Sequence, residues 1–65
     1  MTLKAARVNA GFTQEEVSEL VKVSTNSLSA WEKGIRYPRI DVVGILAALY
    51  GVSIDEIDFV KGDKK

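Results

Sequence analysis

No cysteine and no histidine occur among the 65 residues. Their absence removes disulfides, thiolate nucleophiles, the usual zinc ligands and the commonest general base together, and a reducing, intracellular setting is expected. No apolar run approaches the ~18 residues that a membrane span needs, and the N-terminus lacks the basic-then-apolar order of a signal peptide. A cytoplasmic protein without a membrane partner is therefore expected. A chain of this length buries only roughly 60% of its unfolded surface, which leaves a thin core and little room for a deep catalytic cleft. No catalytic residue, metal site, cofactor or small-molecule site is assigned.

An excess of either charge is also missing, since nine basic residues balance nine acidic ones. Phosphate-driven binding usually needs positive charge, so the sum argues mildly against a nucleic-acid partner. The distribution is more informative. Residues 22–39 carry Lys22, Lys33, Arg36 and Arg39 against Glu32 alone. Residues 41–63 carry Asp41, Asp55, Glu56, Asp58 and Asp63 against Lys61 alone. A molecule polarised in this way can turn its basic side to a polyanion and keep its acidic side in water. The apolar share of 46% and charged share of 28% are those of a folded domain rather than a disordered segment.

Helix signals dominate the chain. Thr2 caps a first helix to about Ala10, with Leu3, Ala6 and Ala10 on one stripe, and Gly11 ends it. Thr13-Gln14-Glu15-Glu16 is a capping box opening a second, short helix to about Lys22, whose Val17, Leu20 and Val21 share a face. Ser24 caps a third helix that contains Leu28 and Trp31 and stops at Gly34. A loop follows through the single proline, Pro38. A fourth helix then places Ile40, Val43, Leu46, Ala47 and Tyr50 along one stripe and closes at Gly51. Ser53-Ile54-Asp55-Glu56, a second capping box, opens a last short helix. The expected architecture is all-α, a compact five-helix bundle over residues 1–60, followed by a charged, frayed tail at 61–65. Phe12, Val17, Leu20, Val23, Leu28 and Trp31 are expected in the core.

The second and third helices are joined by only Lys22-Val23-Ser24, the tight connection of a helix-turn-helix. Several spacings agree with it: Thr13-Gln14, Val23-Ser24, Leu28 and Trp31, Glu32-x-Gly34, Pro38, and Leu49-Tyr50-Gly51-Val52-Ser53. On these residues the segment 3–59 resembles the phage-repressor helix-turn-helix family, the Cro and lambda-repressor-like DNA-binding domains. Two positions depart from the family pattern, with Lys22 where glycine is usual in the turn and Ser18 where alanine is usual midway along the second helix. A left-handed residue other than glycine costs on the order of 1–2 kcal/mol, so a strained turn is expected. The Ser18 hydroxyl can be returned to a carbonyl one turn back.

The resemblance implies a third helix lying in the major groove while the second crosses the backbone. Thr25, Asn26, Ser29 and Ala30 match base-facing positions. An Asn26 amide can bond adenine at N6 and N7, the Thr25 methyl can pack on a thymine methyl, and Ser29 can donate or accept. No arginine or glutamine stands there, which leaves room for readout of DNA shape. Gln14, Ser24, Ser27, Lys33, Arg36, Tyr37 and Arg39 match phosphate-contacting positions. Tyr37 is open to a second role, covering the small core. Arg7 and Glu32 match a partly buried ion pair of the phage-repressor relatives, a structural role suited to the guanidinium fork.

An enzyme is not expected, because Glu15-Glu16 and Asp55-Glu56 are adjacent acids in first helical turns, explained by the helix dipole. The alternative to a DNA-binding regulator is a protein-binding module of the same fold, such as an antitoxin or anti-repressor. Ile54, Ile57, Phe59 and Val60 offer more apolar surface than a small bundle needs and are candidates for a homodimer interface. Ile54 and Ile57 are equally able to close the monomer core. A two-fold dimer implies double-stranded DNA with an inverted-repeat operator as partner.

Overall fold

A computed structural model describes residues 1–59; Val60 and the expected tail at 61–65 lie outside the described residues. Four helices form: α1 (Leu3–Asn9), α2 (Gln14–Val21), α3 (Thr25–Lys33) and α4 (Ile40–Tyr50). The starts of the first three follow from local chemistry. Thr2 Oγ1 accepts the Ala5 N–H, Thr13 and Glu16 exchange the two bonds of a capping box, and Ser24 Oγ accepts the Ser27 N–H. Each satisfies an amide that the helix leaves unbonded at its first turn. The stops are equally local, with Gly34 and Gly51 in the left-handed conformation after α3 and α4.

The fifth helix expected at Ser53 is shorter than its capping box suggests. The box forms, but it opens only a single 3-10 turn, Ile54–Glu56. Ile57 is already extended, and Asp58 pairs with Thr2 in an isolated parallel bridge, its N–H donating to the Met1 carbonyl at 2.6 Å. The chain is drawn away before a helix can lengthen.

Leu3, Ala6, Val17, Leu28, Leu46, Ala47, Tyr50 and Ile57 form the core, and Phe12, Val21, Trp31, Leu49, Val52 and Phe59 pack around it. Leu20 is corrected from an expected core position, and Ile40, on the apolar stripe of α4, is exposed. Leu20 is 59% exposed, because α2 packs chiefly on α3 and buries only the edge that carries Val17 and Val21. Ile40 is 75% exposed, since it is the first residue of α4 and its side chain leans back past the helix end. Among the described residues no helix is long and apolar enough to cross a membrane.

Candidate nucleic-acid interface

The turn between α2 and α3 sets the relation of the two helices. Lys22 adopts the left-handed conformation, φ 65° and ψ 46°, and is the only residue other than glycine with positive φ among the described residues. Its N–H and that of Val23 both donate to the Ser18 carbonyl, at 2.9 and 3.1 Å. The Ser18 hydroxyl donates to the Glu15 carbonyl at 2.8 Å, which removes a polar group from the helix crossing. Ser24 then caps α3 and also donates its own proton to Ser27 Oγ at 3.0 Å. The Ser27 hydroxyl is left with its proton to give outward.

At the helical angle of about 100° per residue, Thr25, Asn26, Ser29 and Ala30 occupy an arc of about 140°, with the fully buried Leu28 on the reverse side. Asn26 is exposed, and Thr25, Ser29 and Ala30 are half-buried. Lys33, Arg36 and Arg39 follow on the surface, all exposed. The Ile35 and Arg36 N–H groups both close on the Ala30 carbonyl, at 3.0 and 3.3 Å, so the loop carrying these cations is fixed to the end of α3. Arg39 also faces Asp41 at 3.6 Å, with both side chains in solvent.

Behind this face lies a polar knot. Arg7 Nε donates to Glu32 Oε2 at 2.7 Å and its NH2 to Oε1 at 3.2 Å, while its NH1 donates to the Phe12 carbonyl at 2.8 Å. The two side chains are only 10% and 4% exposed. The hydrogen bond to Glu32 raises the pKa of Arg7 above its ordinary value, against the opposing effect of burial. Glu32 Oε1 accepts a third donor, Gln14 Nε2, at 3.0 Å. This bond had no signal in the sequence, for it joins residues 18 apart at the start of one helix and the end of another. Gln14, Thr13, Glu15, Thr25, Arg7 and Phe12 line an open cleft of about 480 Å³ at the mouth of the two helices. The structure thus brings Gln14 beside the first residue of α3 and ties its amide inward.

Nearby, Tyr50 is 6% exposed and its ring lies 6.4 Å from that of Phe12. Its buried hydroxyl has no hydrogen-bond partner among the described residues. Burial pushes its pKa up to about 12, the Glu32 charge adds to the rise and Arg7 opposes it.

The expected interface candidates separate. Ile57 is 6% exposed and lies in the monomer core, the second of the two roles open to it, and not on the surface as an interface candidate. Ile54 is exposed, and Phe59 is half-buried with its ring edge-on to Tyr37 at 6.2 Å. Val60 lies outside the described residues. Tyr37, Pro38, Ile40, Val43, Ile54 and Phe59 line an apolar groove of about 370 Å³. Of this lining only Ile54 and Phe59 were expected as interface candidates. The groove arises where the loop, the start of α4 with Ile40, and the 3-10 turn meet.

Comparison with known proteins agrees with this geometry. The profile of the family described as Helix-turn-helix matches residues 3–57. The chain is similar to the HTH-type transcriptional regulator ImmR of Bacillus subtilis (strain 168), 43% identical over 53 residues that make up 82% of this chain and 42% of that protein. It is similar to the cryptic phage CTXphi transcriptional repressor RstR of Vibrio cholerae, 38% identical over 55 residues, 85% of this chain and 50% of the relative. The HTH-type transcriptional activator BcrR of Enterococcus faecalis is 33% identical over 55 residues, 85% of this chain and 27% of the relative. The chain therefore spans at most half the length of these curated relatives.

Proposed function

Because the chain belongs to the helix-turn-helix family of phage-repressor type, its match covering residues 3–57, we propose that it is the sequence-specific DNA-binding domain of a transcriptional regulator. One observation carries this reading: Thr25, Asn26 and Ser29, with Ala30 at the edge, share one arc of α3, with Gln14 of α2 beside it and the exposed Lys33, Arg36 and Arg39 beyond it. In the major groove that arc meets base edges, while Gln14, Ser24, Ser27 and the three cations meet phosphates. Tyr37 lines the groove with Phe59, which favours a packing role for its ring over a phosphate contact. The named relatives include one repressor and one activator. Repression needs only occupancy of the operator, which a folded DNA-binding module supplies by itself, and is the sign proposed. The protein acts in the cytoplasm, and no catalytic role is proposed.

The proposed assembly is a homodimer on an inverted repeat, with a second copy in the apolar groove. Charge complementarity favours that occupant. Arg36 and Arg39 flank Tyr37 and Pro38 in the chain, whereas Asp55 and Asp58 adjoin Ile54 and Phe59. A two-fold axis sets the basic border of one copy against the acidic border of the other.

Selection from random duplexes, repeated with Asn26→Ala and Lys33→Ala, tests the reading. Asn26→Ala is expected to relax preference at one base pair by about 1–3 kcal/mol. Lys33→Ala is expected to weaken all sequences alike and to reduce the salt slope by about 1. Failure of any duplex to bind at low salt would favour a protein-binding module instead.

A further inference from the structure

Resting on the DNA-binding reading, we propose that Glu32 is a positioning residue for DNA recognition: its buried carboxylate anchors the Gln14 amide and so fixes the phosphate-facing start of α2 against the base-facing turn of α3. Glu32 itself touches no DNA in this arrangement. It acts through Gln14.

The geometry carries the inference in three steps. An ionised carboxylate only accepts hydrogen bonds, so the amide of Gln14 meets Glu32 through its nitrogen and not its carbonyl oxygen. A primary amide has two N–H bonds that diverge by about 120°, and with one held at Glu32 Oε1 the other remains for an outside acceptor. The open cleft in front of Gln14, bordered by Thr25, provides the room for a phosphate oxygen there.

The charge balance is consistent with this role. A carboxylate just behind a phosphate-binding face repels the ligand unless it is neutralised. Arg7 supplies that neutralisation through its two bonds to Glu32. The same side chain is tied to the Phe12 carbonyl in the segment leading into α2, so the anchor itself is held from two directions. A free glutamine at a helix start loses rotamer freedom when it grips a phosphate. Here that freedom is already surrendered in the unbound protein, which leaves more of the contact as affinity.

The test is a methylphosphonate scan across a selected duplex, each substitution removing one phosphate charge and acceptor. The wild-type protein is expected to lose about threefold to tenfold in affinity at the phosphate facing Gln14, the size of one hydrogen bond. Gln14→Ala is expected to abolish that particular loss. Glu32→Leu, which leaves no acceptor for the Gln14 amide, is expected to reduce it as well, with helical content checked by circular dichroism, and adding Gln14→Ala to Glu32→Leu is expected to change little more. A folded Glu32→Leu protein that keeps the full methylphosphonate loss overturns the proposal.

A second measurement stands if Glu32→Leu does not fold. Relaxation of the Gln14 side-chain amide in the free wild-type protein is expected to give an order parameter near the ~0.85 of rigid backbone, and a value under about 0.6 overturns the anchoring. Absence of any duplex binding by the wild-type protein at low salt defeats the DNA-binding reading, whereas a mobile Gln14 in a protein that binds DNA defeats this inference alone.

Discussion

The two halves of the molecule are held by different forces. From α1 to α3, directional polar bonds do much of the ordering: three capped helix starts, the Arg7–Glu32 pair and the Gln14 amide all join backbone or side chains in fixed geometry. From α4 onward the chain relies on apolar contact. Asp41 is the only charged residue of α4, yet Ile40 and Ile45 are exposed on it. A helix that is apolar nearly all round is normally buried, and one left partly bare points to a partner. The first half therefore suits recognition, where donors must stand at defined positions, and the second suits association, where surfaces need only fit.

The largest effect that can break this contrast lies in the polar knot. Arg7→Ala leaves the Glu32 carboxylate buried without its cation and is expected to cost about 3–5 kcal/mol, enough to unfold a domain of this size. Urea denaturation measures it; a loss under about 1 kcal/mol would show that water relieves the charge and that the knot is not what orders the first half. Replacing both partners with apolar residues of similar volume is expected to restore much of the loss.

Ile40→Lys addresses the other half. Its side chain touches little in the monomer, so stability is expected to stay within about 0.5 kcal/mol. In the proposed dimer, burial of that side chain by a second copy contributes about 1.5–3 kcal/mol, so sedimentation should show the association weakened at least tenfold while half-site affinity persists. Unchanged dimerisation would remove the groove from the interface.

A smaller effect sharpens the account of the turn. Lys22→Gly relieves a left-handed lysine and is expected to stabilise the fold by about 1 kcal/mol, seen as a rise in Tm.

Tyr50→Phe is expected to give the smallest change at neutral pH. The hydroxyl it removes is buried without a hydrogen-bond partner, so the variant should be neutral or more stable by up to about 1 kcal/mol. Its pH dependence has a definite sign. The folded-state pKa of about 12 exceeds the ordinary 10.0, so above pH 10 the unfolded chain releases its proton first and wild-type stability falls until about pH 12. Denaturation across that range should show a flatter profile for the phenylalanine variant.

Features decided by neighbours in the chain were the legible ones. The hydroxyls of Thr2, Thr13 and Ser24 act on amides three residues ahead, and Gly34 and Gly51 act on their own turns, so the helix limits could be read without knowing the fold. Thr25, Asn26, Ser29 and Ala30 were singled out through the family resemblance, and helical spacing accounts for their sharing one arc of α3. Leu20 was misplaced because periodicity tells which residues share a face and not what covers it, and for the same reason the apolar stripe of α4 could not show that Ile40 is exposed. The Arg7–Glu32 pair spans 25 residues and was accessible only through family resemblance, and the Gln14–Glu32 bond was not accessible at all. The 3-10 turn was read as a helix because its capping box is intact; what limits it is the pairing of Asp58 with Thr2 at the far end of the chain.

That pairing has a kinetic meaning. Contacts within and between successive helices close short loops, whereas the bonds that join Met1 and Thr2 to Glu56 and Asp58 close nearly the whole described chain. Such a closure forms late in folding. Phe59 follows it in the chain and forms one wall of the apolar groove, so the surface proposed for a second copy is complete only once the two ends of the described chain have met.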